Sequence, residues 1–264
     1  MNQPDRPRHT MPTPHEEHYI AQLRTSVSFD GSRSWGSAPV LAPTFAPGTR
    51  SIRTGILATY VDIIGGHVPA GALGPTVDLR VQVIAPTPTA GTIRLEGRPL
   101  RVGKRLVVAE TSLHDGDNTD PFAIGITTFM NNHLGVVLPE PRAEQPPLAA
   151  PSFDEFIGAT VIDERSLALQ PIARLSNGVQ STVQGGVQAL LAEMAAAHAF
   201  GNGGPLVARD LDIRYLDRLR TGPLVATAEG SRTGNGPLPC RVRLTDGGEG
   251  HLVAYVTLVM QTAQ

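Results

Sequence analysis

Two stretches of the chain stay apolar for longer than a strand can: "IRTGILATYVDIIGGHV" at 52–68 and "VQGGVQALLAEMAAAHA" at 183–199. Their length and Ala, Leu and Ile content predict two helices, apolar on most faces and suited to a core. After each helix the period changes. "TVDLRVQVIAP" at 76–86 and "ARDLDIRYLDR" at 208–218 alternate apolar and polar residues, as half-buried strands do. Further strand-like segments follow, "TIRLEGRPL", "RLVVAETSLHD" and "PFAIGITTFM" in the first half, "LVATAEGSR", "PCRVRLTD" and "HLVAYVTLVM" in the second. Gly, Pro and Asp turn signals separate them. Weaker strand-like sequence, "SAPVLAPTF" and "ATVIDERSLALQPIARL", precedes each helix.

The halves repeat one another. Residues 52–68 align without a gap on 183–199, an offset of 131. Thr54 then meets Gly185, Gly55 meets Gly186, Ala58 meets Ala189, Asp62 meets Glu193 and His67 meets His198. Asp78 meets Asp210 in the following strands. The join "LPEPRAEQPPLAAP" has the proline content of an extended linker. The expected organisation is a disordered or extended tail at 1–22, a first domain at 23–137, a linker at 138–152 and a second domain at 153–264. Two similar units in one chain most simply pair as a pseudo-dimer.

Composition narrows the partners. With 22 basic and 24 acidic residues the formal charge is -2, and no basic run stands out, which argues against nucleic acid. The opening "MNQPDRPRHTMPTPHEEHY" has no apolar segment and no later stretch reaches membrane-spanning length, so the expectation is a cytoplasmic protein without a membrane partner. Cys240 stands alone as the single cysteine, with no Cys/His neighbours at metal-ligand spacing, and reads as a small strand residue.

Helix starts and acids recur together, and here the sequence resembles a known family. In the hotdog-fold acyl-CoA thioesterases of the phenylacetic-acid-degradation type, a His-Gly-Gly loop opens the central helix and an acid follows nine residues after the His. This chain has "QGG" at 184–186 with Glu193 nine residues after Gln184, and "RTG" at 53–55 with Asp62 nine residues after Arg53. Neither half keeps the His, and Thr54 stands where the first Gly would. The resemblance spans most of residues 36–262 and implies an α+β fold of two tandem hotdog domains, each a long helix wrapped by an antiparallel sheet. It also implies two composite sites, one joining Gly185 and Gly186 to Asp62, the other joining Thr54 and Gly55 to Glu193.

The activity so implied is hydrolysis of an acyl-CoA thioester, with coenzyme A as part of the substrate and neither cofactor nor metal. A carboxylate would serve as general base or nucleophile, and a helix N-terminal N–H would polarise the carbonyl. The Asp62 site is favoured because its partner loop keeps both glycines, with Gln184 holding the acyl carbonyl or positioning water. Candidate substrate contacts are Gly186, Thr54, Gly55, Arg53, Asn177, Lys104 and Arg105. Arg53 opposes the helix dipole unless an anionic group neutralises it, and Arg98, Arg101, Lys104 and Arg105 share one turn where a CoA phosphate could dock. His67 and His198 follow their acids by five residues and read as helix-end histidines. Two rival readings stay open, an acyl-CoA-binding protein without hydrolysis and a hotdog enoyl-CoA hydratase or dehydratase. A further homo-oligomer is also left open.

Overall fold

The alternating segments join edge to edge into one antiparallel sheet of twelve strands. The structure is a computed structural model that describes residues 18–67, 74–131, 150–176, 182–201, 204–230 and 236–263. The first half runs α1 (Tyr19–Gln22), β1 (Ser26–Phe29), β2 (Ser34–Pro39), α2 (Thr54–Gly66), β3 (Thr76–Val83), β4 (Thr92–Val102), β5 (Leu106–Asp115) and β6 (Pro121–Met130). The second repeats it as α3 (Phe153–Ile157), β7 (Thr160–Asp163), β8 (Ser166–Leu169), α4 (Gly185–Phe200), β9 (Leu206–Tyr215), β10 (Leu224–Gly230), β11 (Leu238–Asp246) and β12 (Leu252–Thr262). The strand order β1-β2-β4-β5-β6-β3-β9-β12-β11-β10-β8-β7 reads alike outward from the β3–β9 seam.

That seam carries the pseudo-symmetry. Arg80 pairs with Asp212, Leu79 with Ile213, Val81 with Leu211, Asp78 with Arg214 and Gln82 with Asp210. Because Asp78 matches Asp210 in the repeat, Arg80 matches its own partner Asp212, and the pseudo-two-fold axis passes through that pair. Alternation sorts the faces. Leu79, Val81, Leu211 and Ile213 are buried. On the opposite face Arg80 bonds Asp210 at 2.5 Å, while Arg214 reaches Asp78 at 3.4 Å and Asp212 at 3.0 Å.

The two long helices lie against the buried face and against each other. A side chain on Gly55 would place its Cβ 2.4 Å from Leu190 Cα, so only glycine lets the α2 start approach α4 this closely. The equivalent approach at the α4 start sets Gly186 against Thr59, whose Oγ1 would stand 1.9 Å from such a Cβ. Helices that pack this closely and are covered by a sheet bury nearly all their faces, which accounts for their weak amphipathicity.

The boundary at residue 22 is corrected by the structure. Tyr19–Gln22 is a helical turn, not tail: Tyr19 is fully buried, its ring meets Phe153 edge-on at 5.6 Å, and its hydroxyl lies 2.9 Å from Thr59 Oγ1. The aromatic ring supplies the burial that holds the turn down. The β1–β2 hairpin also starts earlier than the "SAPVLAPTF" segment, because β1 is a short edge strand with little apolar alternation. Of the expected linker only residues 150–152 are described, and Ser152 caps α3 by accepting from Glu155 N. In the second half of the sheet, Asp246 accepts backbone N–H groups from Arg220, Thr221, Gly222, Gly248 and Glu249, tying the loop before β10 to the β11–β12 turn.

Candidate active site

The α2 start meets the acid of α4, the α4 start packs on Thr59 of α2, and the two crossings differ. At the α2 start, Glu193 Oε2 accepts the Gly55 N–H at 2.8 Å and Oε1 accepts the Ala208 N–H at 3.0 Å. Arg53 Nη1 stands 4.0 Å from the same carboxylate and gives its fork to Asp154, at 3.2 and 2.6 Å. Thr54 Oγ1 donates to Ala208 O at 2.6 Å. Arg53, Thr54, Gly55, Glu193 and Ala208 are all buried. Burial pushes the Glu193 carboxyl above its usual range, against the pull of Arg53 and the two N–H groups. The helix start is capped from across the interface, and the cap fills it.

The α4 start is built otherwise. Gln184 caps its own helix, Oε1 accepting the Val187 N–H at 3.0 Å. Asp62, one methylene shorter than Glu193, takes a hydrogen bond from Thr76 Oγ1 at 2.7 Å. Among the described residues the Gly186 N–H has no acceptor. The carbonyl of the same peptide, Gly185 O, accepts from the Tyr215 hydroxyl at 2.9 Å. Asp62, Thr76, Gly185 and Tyr215 keep part of their surface exposed. Desolvation raises the Asp62 carboxyl to about 6, the Thr76 bond opposing it only in part. Its charge reaches Tyr215, whose pKa is held well above normal first by burial and then by Asp62.

No family model matches the chain, and no curated protein matches it in sequence. Solved structures match it nearly end to end. A hotdog-fold protein of unknown function from Alicyclobacillus acidocaldarius is 15% identical, with 94% of this chain and 98% of that one covered at a TM-score of 0.61. The tesB protein of Mycobacterium avium subs paratuberculosis is 14% identical, covering 93% and 98% at 0.63. An acyl-CoA thioesterase II from Mycobacterium marinum is 11% identical, covering 92% and 96% at 0.55. The chain is a double hotdog.

Within this double hotdog the expected composite sites separate. Thr54 and Gly55 do meet Glu193, through the Gly55 N–H and through Ala208, to which both Thr54 and Glu193 are bonded. Arg53, a candidate contact for a substrate anion, has its guanidinium buried between Asp154 and Glu193, which supply the anions that the helix dipole asks for. Asp154 was not singled out in the sequence, because its partner lies 101 residues away.

Around Asp62, sequence reasoning missed Thr76 and Tyr215. A signal for each exists. Thr76 is a hydroxyl where the repeat has Ala208, and Tyr215, at the last inward position of β9, falls where β3 has Val83. Lys104 and Arg105 are exposed on the β4–β5 turn. That turn adjoins the end of β6, whose Phe129 pairs with Thr76 at the start of β3. Two strand spacings, roughly 10 Å, therefore separate it from the Thr76 strand end. Asn177 lies outside the described residues.

His67 turns back on its own helix, 2.5 Å from Ile63 O, whereas His198 reaches Asp163 O of β7 at 2.9 Å. Cys240 is buried in β11, and burial pushes its thiol up to about 12. Among the described residues no group of His, Cys, Asp and Glu is placed to hold a metal ion, and no helix is long and apolar enough to cross a membrane.

Proposed function

We propose that the protein hydrolyses the thioester of an acyl-CoA at the α4 start, with Asp62 as general base. One observation carries the reading: among the described residues the N–H of Gly186, at a helix N-terminus, has no acceptor, and the carboxyl of the half-buried Asp62 on the neighbouring helix has been raised to about 6. A base poised near neutral pH can take a proton from water and return it to a leaving thiolate.

Thr76 engages Asp62 Oδ1 and leaves Oδ2 for a water. Asp62 takes that water's proton as its oxygen attacks the thioester carbon, and the carbonyl oxygen gains negative charge. The Gly186 N–H, at the positive end of the α4 dipole, is the donor suited to hold it. Collapse breaks the C–S bond, and the proton on Asp62 goes to the coenzyme A sulfur. Lys104 and Arg105, at the same end of the sheet as Thr76, offer charge to the phosphates of coenzyme A. The naming of the Mycobacterium marinum structure as an acyl-CoA thioesterase favours this substrate class.

The test is thiol release from butyryl-, octanoyl-, palmitoyl- and phenylacetyl-CoA by the purified protein. Wild type should hydrolyse at least one, and Asp62→Asn should lose about a hundredfold or more in kcat. Tight binding of the esters with no thiol release would replace the enzyme by an acyl-CoA-binding protein. Water addition to crotonyl-CoA without thiol release would make it a hydratase.

A further inference from the structure

We propose that Tyr215 is a positioning residue for this site, acting through the Gly185–Gly186 peptide. The inference rests on the hydrolytic reading above and deepens it. Tyr215 Oη donates to Gly185 O at 2.9 Å, and that carbonyl belongs to the peptide unit whose N–H, that of Gly186, has no acceptor among the described residues. A carbonyl that accepts a hydrogen bond polarises its own amide, so its N–H becomes a stronger donor. The same bond fixes the plane of the peptide, and with it the direction in which the N–H points. A donor aimed before substrate arrives needs no reorganisation when charge develops.

Space and asymmetry support the assignment. A side chain at 185 would put its Cβ 2.9 Å from Tyr215 Oη, so glycine there is what admits the hydroxyl. The repeat supplies an internal comparison. At the α2 start the matching strand position is Val83, without a hydroxyl, and the matching N–H, of Gly55, is already bonded to Glu193. The hydroxyl therefore occurs only at the crossing whose N–H is left open. Tyr215 also sits within electrostatic reach of Asp62.

Tyr215→Phe tests this, because it removes the hydroxyl and keeps the ring. With the best ester of the panel, kcat should fall about tenfold while KM moves less than about twofold, as expected when an interaction acts mainly in the transition state. An amide NMR spectrum of the ligand-free protein gives a second readout. The Gly186 nitrogen resonance should move upfield in Tyr215→Phe while that of Gly55 stays in place.

Wild-type kcat in Tyr215→Phe, beside an inactive Asp62→Asn, overturns the role of Tyr215 and leaves the hydrolytic reading standing. An unmoved Gly186 resonance overturns it as well. A fully active Asp62→Asn, or no thiol release by wild type, removes the hydrolytic reading and the inference with it. Equal losses in kcat and melting temperature, with KM raised, would make the tyrosine a packing residue and overturn the proposal too.

Discussion

Glu193 reaches across the helix pair to accept the Gly55 N–H at 2.8 Å, and Asp62, its counterpart in the repeat, makes no such bond to Gly186 among the described residues. One methylene separates the two acids. The longer side chain closes one helix start and the shorter one leaves the other open, so the same spacing in sequence serves cohesion in one half and exposes a donor in the other.

Replacing Asp62 by Asn should raise stability where it removes activity. A carboxyl whose pKa climbs from 3.8 to about 6 on folding binds its proton more tightly in the folded state, so the wild type loses stability as pH rises from about 4 to about 6, by roughly 3 kcal/mol in all. Asn carries no charge to desolvate. Urea unfolding at pH 8 should show the variant more stable than wild type, and the difference should vanish near pH 4. Hydrolysis by the wild type should rise with pH through about 6 as Asp62 ionises. A flat profile across that interval would exclude Asp62 as the base.

Glu193→Gln should cost stability although burial raises this carboxyl too, because the variant cannot accept both N–H groups. Its amide would turn hydrogens toward either the Gly55 or the Ala208 N–H, and Arg53 would lose one of its two anionic partners. A loss of about 2–4 kcal/mol in unfolding free energy is expected. Enzyme that remains folded at low temperature should keep kcat within about threefold of wild type. Loss of kcat matching that of Asp62→Asn, without loss of stability, would move the chemistry to the α2 start.

The helix crossing predicts a third outcome. Gly55→Ala places a methyl 2.4 Å from Leu190 Cα, a backbone atom that can yield only if α4 moves. The expected cost is about 3 kcal/mol, measured by denaturant unfolding, with Gly48→Ala as an exposed comparison that has open space but a positive φ.

Asp246 makes the second half of the sheet sensitive to acid. Burial opposes its ionisation, yet the N–H groups of Thr221, Arg220, Gly222 and Gly248 outweigh burial and hold its carboxyl far below the usual value. Its contribution is therefore complete above about pH 4 and lost as pH falls toward the depressed value. Asp246→Ala should cost about 2–4 kcal/mol at neutral pH, and the gap to wild type should narrow on acidification. A gap that does not depend on pH would mean that the cost comes from packing alone.

Much of the fold was legible because duplication doubled the signal. Alternation in "TVDLRVQV" and "ARDLDIRY" located β3 and β9, and the paired acids pointed to the helix crossings. Less could be read of the crossings themselves. Whether Glu193 fills the opposite helix start depends on side-chain reach over a gap that spacing does not measure. Arg53–Asp154 and Tyr215–Gly185 join residues 101 and 30 positions apart, and those pairings exist only once the helices are docked. Tyr19 escaped notice because a single aromatic in a polar segment carries no periodicity.

The covalent link between the halves changes what mutation can reach. In a dimer of identical chains, position 83 and position 215 would be one codon, and every substitution would fall on both helix starts at once. Here Val83 and Tyr215, Arg53 and Gln184, Ala208 and Thr76 are free to differ across the Arg80–Asp212 axis. One crossing can then be given over wholly to cohesion, and the other relieved of that duty.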